Sequence, residues 1–172
     1  MNSYGYGVPV DGKLVELDGP EFANAYRTMS CSEFEKYKGG VCWDYARYQH
    51  MYLRFRGIIN QNFYIELHDK MSSTHTFTVV PMDGYGIYIE SSFLKIQGVY
   101  ISTSLDYIVS YILKNMTDHV SDFELREYKD PRSGRRTLEF MNWCIHRGKP
   151  IRIKYVETRV IDRGDYKEIV EA

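Results

Sequence analysis

The sequence predicts a single α+β domain, and three observations lead there. Two stretches repeat their apolar residues at helical spacing, one beginning at Cys42 and one at Leu105. Between them lies a series of short segments rich in aromatic and β-branched residues, each separated from the next by Asp-Gly or Ser-containing turns. Helices segregated around such a series belong to the α+β class. At 172 residues, 44% hydrophobic and 26% charged, the chain is about the size at which one core buries most of the apolar surface. It has no repeat, low-complexity tract or Gly/Ser/Pro linker, so one domain is expected over residues 1–172.

Taken in order, the segment through Asp18 is turn-rich, and DGPEFANAYRTM reads as a short helix with Pro20 in its first turn and Glu21 beside its positive end. SEFEKYK is a second short helical turn. From Cys42 the apolar positions Tyr45, Ala46, Tyr52, Leu53 and Phe55 fall mainly on one side of a helix that Gly57 is placed to end. NFYIEL, THTFTVVP, GIYIES and FLKIQGVYI then read as strands of an antiparallel sheet. STSLDYIVSYILKNM is the most regular helix, with Thr103 or Ser104 as cap and Leu105, Ile108, Val109, Ile112, Leu113 and Met116 forming one stripe. TLEFMNWCIHRG reads as a further helix closed by Gly148, and IRIKYVETRVI alternates as a strand.

A formal net charge of −1 gives no field for nucleic acid or an anionic membrane. No window approaches the roughly 20 apolar residues that span a bilayer, and the start lacks a basic region followed by an apolar core. A soluble, cytoplasmic protein with no membrane partner is expected. Three cysteines, Cys31, Cys42 and Cys144, form no CxxC pair, so neither a disulfide framework nor a zinc knuckle is indicated, and no cofactor or metal is expected. The 16 tyrosines suit half-buried strands and a groove wall.

The stretch GGVCWDYARY places Cys42 after two glycines and at a helix start, among unsatisfied backbone N–H groups that favour a thiolate. Gly39 and Gly40 are expected to permit close approach there and to leave room for a substrate. An inert buried cysteine is the competing reading. A nucleophile needs a base and the base an orienting acceptor. His75 opens the strand HTFTVV and Glu90 closes the strand GIYIE. A hairpin centred between Asp83 and Gly84 sets residue 90 opposite residue 77, so that Glu90 and His75 share a face; a slip of one residue would part them. His68, at the end of FYIELH, is the main rival base, whereas His50 lies over two turns along the Cys42 helix. Cys31 lacks the glycines, and Cys144 sits inside a late amphipathic helix where core packing accounts for it.

GGVCWDYARYQHMYLRFRGI, THTFTVV and GYGIYIESS together resemble the three-motif pattern of the transglutaminase-like cysteine enzymes, across roughly residues 32 to 100. That resemblance implies a papain-like core, a helix bearing the cysteine packed on an antiparallel sheet. It implies Cys42 as nucleophile, His75 as general base and acid, and Glu90 as the residue that orients the imidazole. Most such sequences carry Asp where this one has Glu90. It also implies acyl transfer from an amide or peptide bond through a thioester, with a protein or peptide as substrate. The Cys42 N–H is one oxyanion donor, and Tyr26, Asn24 and Trp43 are candidates for the second. KGGVCWDYA is similar as well to the R-G-G-x-C motif of arylamine N-acetyltransferases, with Lys38 in place of the arginine. A transglutaminase-like module without activity, serving in binding or structure, is the alternative from another class.

Overall fold

The structure, a computed structural model, describes residues 4–70, 72–129 and 148–172. In chain order it contains β1 (Gly5–Tyr6), β2 (Val8–Val10), β3 (Lys13–Val15), α1 (Gly19–Ala25), α2 (Cys31–Tyr37), β4 (Gly39–Gly40), α3 (Cys42–Phe55), β5 (Gln61–Leu67), β6 (Thr74–Met82) and β7 (Tyr85–Glu90). A 3-10 turn (Leu94–Ile96) then leads to β8 (Gly98–Ser102), α4 (Leu105–Met116), β9 (Phe123–Tyr128), β10 (Lys149–Ile151), β11 (Thr158–Asp162) and β12 (Lys167–Glu171). The α+β class is therefore observed. The helix expected over 137–147, with Cys144 and His146, lies outside the described residues.

Eight strands form one sheet in the order β10-β9-β5-β6-β7-β8-β12-β11. The four strands expected to form an antiparallel sheet, β5 to β8, pair so in order, and β12, which runs parallel to β8, makes the whole sheet mixed. Asp83 and Gly84 form the two-residue link of the β6–β7 hairpin, Met82 pairs with Tyr85 and Thr78 with Ile89, and Gly84 takes the left-handed φ of 79° that the turn requires. The register is the one the Asp-Gly signal predicts.

The sheet is covered on both faces. Phe63, Ile65 and Leu67 of β5, Phe77 and Val79 of β6, and Tyr88 of β7 alternate toward α4, which buries Ile108, Val109, Ile112 and Leu113 against them. Each of these side chains contributes about 1.5–3 kcal/mol by leaving water. Ser104 caps α4 by accepting the Asp106 N–H at 3.1 Å. On the other face, α3 and the N-terminal segment pack Val8, Tyr26 and Trp43 against Tyr64 and Tyr128. Thr78 Oγ1 ties α3 to β6 by donating to the Ala46 carbonyl at 3.3 Å.

Two expected strands are shorter than their sequence patterns. FLKIQGVYI is a strand only from Gly98, because the N–H groups of Ser92 and Phe93 are taken by the Glu90 carboxylate and the chain turns there. IRIKYVETRVI divides between β10 and β11, because the N–H groups of Lys154 and Val156 bond to Asp106 and Ser110 of α4 instead of a neighbouring strand. The turn-rich start forms β1 to β3, of which β1 pairs in parallel with β4. Among the described residues, no helix is long and apolar enough to cross a membrane.

Candidate active site

The Cys42 end of α3 is held by a buried carboxylate. Val41 occupies the N-cap in extended conformation and has no side-chain acceptor to offer, so Asp44 reaches back and accepts the Val41 N–H at 2.9 Å. The other oxygen of Asp44 accepts the Met29 N–H at 2.8 Å and the Tyr26 hydroxyl at 2.9 Å. Burial pushes the Asp44 carboxyl up to about 6, against the opposing pull of these hydrogen bonds.

The glycines before Cys42 serve this scaffold, through the close approach expected of them. At Gly39, with φ of 143°, a Cβ would lie 2.0 Å from the Gly5 carbonyl oxygen, and at Gly40 it would lie 2.6 Å from Cβ of Asp44. Their smoothness lets β1 and the Asp44 carboxylate close onto the helix start.

His75 is the second residue of β6 and Glu90 the last of β7. Both are buried, and His75 Nε2 lies 2.6 Å from Glu90 Oε2. Phe77 stacks beside the imidazole at 6.2 Å and Phe93 meets it edge-on at 5.8 Å, so the ring has one orientation. The Cys42 thiol is within hydrogen-bonding reach of the same ring, on which Nδ1 is the nitrogen left over. Burial works to lower the His75 pKa, but the Glu90 charge, with hydrogen bonds to Cys42 and Glu90, outweighs it, and the net direction is upward. Burial works to raise the Glu90 pKa, and His75 with the surrounding donors reverses it to a lowered value.

Glu90 accepts from every side. Tyr88 donates its hydroxyl to Oε2, while Oε1 accepts the Ser92 N–H at 2.9 Å, the Ser92 hydroxyl at 3.0 Å and the Phe93 N–H at 2.9 Å. The extra methylene of Glu over Asp is what lets one carboxylate serve both the imidazole and the 91–93 turn.

Cys42 is half-buried and opens, with His75, into a cleft of about 500 Å³. Tyr6, Glu16, Phe93, Lys95 and Met116 also line it. Cys42, His75 and Glu90, named from three separate motifs, thus meet at one end of the sheet. The rival histidines lie elsewhere: His68 is exposed and bonded to Asp122 at 3.2 Å, and His50 lines a separate cleft, bonded to Asn60 at 2.6 Å. Lys38 pairs with Glu35 at 3.2 Å over the Tyr4 ring.

The three candidates for a second oxyanion donor do not line the cleft. Tyr26 is spent on Asp44, Trp43 packs into the cluster with Tyr64, and Asn24 sits on α1. Sequence reasoning missed the parts played by Asp44, Tyr88 and Tyr6; only Asp44 had a signal, being the third residue of a helix whose cap carries no acceptor. Glu66, His68 and Glu124 bring ligating atoms within 4.8 Å of one another and could hold a cation, although Arg126 already pairs with Glu124 at 3.3 Å.

Compared with family models, curated proteins and solved structures, the chain matches none.

Proposed function

We propose that the chain is a transglutaminase-like cysteine hydrolase or acyltransferase with a papain-like core, acting on an amide or peptide bond of a protein or peptide. The reading rests on one observation: a cysteine at a helix start shares a cleft with an imidazole whose far nitrogen is held by a buried carboxylate. In this mechanism Cys42 gives its thiol proton to His75, Sγ attacks the carbonyl carbon, an S–C bond forms, and the carbonyl π pair moves onto oxygen. Collapse of that intermediate breaks the C–N bond, and His75 gives its proton to the departing amine. Water or an acceptor amine then attacks the thioester, losing its proton to His75 while the C–S bond breaks. Glu90 holds the imidazole in one tautomer and favours its charged form.

Iodoacetamide at mildly acidic pH tests the nucleophile. Faster alkylation of Cys42 than of Cys31, abolished in His75→Ala, supports the proposal. Equal, slow labelling of all three cysteines rejects it and favours the inactive module. Mass spectrometry of an acyl group held on Cys42 after incubation with peptide mixtures names the substrate, and the released product tells water from amine as acceptor.

A further inference from the structure

The acyl-transfer reading leaves one role unfilled. Attack by Cys42 puts a negative charge on the former carbonyl oxygen, and a single N–H, that of Cys42, does not match the paired donors that such an oxygen needs. A second donor has to lie beside that N–H, open to the cleft, with its own proton uncommitted.

Tyr6 meets each condition. It is the second residue of β1, paired in parallel with Gly40, two residues before Cys42. Backbone bonds from Gly5 to Lys38 at 2.7 Å and from Gly7 to Gly40 at 3.1 Å fix it on both sides. The Tyr45 hydroxyl adds a third tie, donating to the Gly5 carbonyl at 2.7 Å. Tyr6 lines the cleft together with Cys42 and His75. Its hydroxyl is within reach of the Cys42 backbone N–H, and that N–H is the donor of the pair. The Tyr6 oxygen therefore stands close to where a carbonyl oxygen would accept from Cys42.

Of the other hydroxyls on the cleft wall, Ser92 donates to Glu90 at 3.0 Å and Ser73 to Asp69 at 3.4 Å, while Thr74 opens β6 and is not on the β1–β4 pair that leads into Cys42. Tyr6 as a residue is 40% exposed, so part of its surface faces solvent and not protein neighbours.

We propose that Tyr6 is the second oxyanion donor of this site, its O–H and the Cys42 N–H together holding the oxygen of the tetrahedral intermediate. Burial of the hydroxyl, followed by repulsion from a Cys42 thiolate, pushes the Tyr6 pKa upward, so the proton to be donated is retained through the neutral range. This inference rests on the acyl-transfer reading, and its test separates the two.

The test compares the parent with Tyr6→Phe in two reactions of Cys42. Alkylation by iodoacetamide passes through no oxyanion, whereas acylation by p-nitrophenyl acetate does. Tyr6→Phe should alkylate within about two-fold of the parent, which also establishes that the fold and thiol are intact. Its acylation should be slower by roughly 100-fold, the usual cost of removing one such donor. Equal acylation of the two proteins overturns the assignment of Tyr6 and leaves the acyl-transfer reading standing. Faster acylation in Tyr6→Phe also overturns it, since the hydroxyl would then obstruct the oxygen instead of binding it. A parent that forms no acetyl adduct on Cys42 rejects acyl transfer itself, and the role of Tyr6 with it.

Discussion

Glu90 accepts from His75 across the β6–β7 hairpin at 2.6 Å and, through its other oxygen, from the N–H groups of Ser92 and Phe93 beyond the end of its own strand. One carboxylate thereby orients an imidazole and folds the turn that carries Phe93 against it. Glu90→Gln either turns its amide N–H₂ against the Ser92 and Phe93 N–H groups, which cannot accept, or turns it toward His75 and removes the acceptor that holds the imidazole. Glu90→Gln should cost about 2–4 kcal/mol in urea denaturation, and Glu90→Ala about 3–5 kcal/mol. Glu90→Asp should keep most of that stability through the local turn bonds, yet lower Cys42 acylation by roughly ten-fold or more, because the shortened carboxylate falls away from His75.

His75 and Glu90 also set a pH profile. The folded-state pKa of His75 lies above its ordinary value of 6.5, so the stability it confers is complete below 6.5 and is lost as pH rises through the higher folded value. Glu90 lies below its ordinary 4.5, so its share is present above 4.5 and lost as acid titrates it. Denaturation midpoints should fall on the alkaline side in the parent, and His75→Gln should flatten that fall.

Asp44 has the opposite sign from Glu90. Its carboxyl is raised from 3.8 to about 6, so the folded state gains stability as pH falls through that window and loses it as pH rises through 6. The full span is worth about 3 kcal/mol. Asp44→Asn should remove this acid-side gain in paired urea titrations at pH 4 and pH 7. It should also cost about 1–3 kcal/mol at neutral pH, where an amide cannot accept both the Val41 N–H and the bonds of Met29 and Tyr26.

Gly39→Ala and Gly57→Ala separate crowding from backbone strain. Both residues have positive φ, but a Cβ at Gly57 meets nothing within 4 Å, whereas at Gly39 it strikes the Gly5 carbonyl at 2.0 Å. Gly57→Ala should cost about 1–2 kcal/mol. Gly39→Ala should cost more, and hydrogen exchange should show the Gly5 and Gly7 amides losing protection while α4 keeps its own.

Local sequence carried the regular parts of the molecule. The stripe on Leu105–Met116 placed α4, and the Asp83-Gly84 pair set a hairpin register that puts His75 and Glu90 on one face. The parts that were not legible depend on residues distant in the chain. The alternation in IRIKYVETRVI is real, but Asp106 and Ser110 on α4 claim the N–H groups that a continuous strand would use. β9 escaped notice because Glu124, Arg126 and Glu127 give FELREY the look of a solvated loop, although it pairs on both edges. The place of Tyr6 follows from parallel pairing with Gly40, a contact across most of the N-terminal segment that leaves no periodic trace.

The hairpin also imposes a temporal order on a chain that grows from its N-terminus. Cys42 is made well before His75, and His75 before Glu90, and the last two come together only when β7 has folded back on β6. Until Ser92 and Phe93 have been added, the Glu90 carboxylate lacks the donors that aim it. A nascent chain therefore exposes a thiol with neither imidazole nor carboxylate beside it, and the three groups can first meet when only β5, β6 and β7 of the eight-stranded sheet have been made.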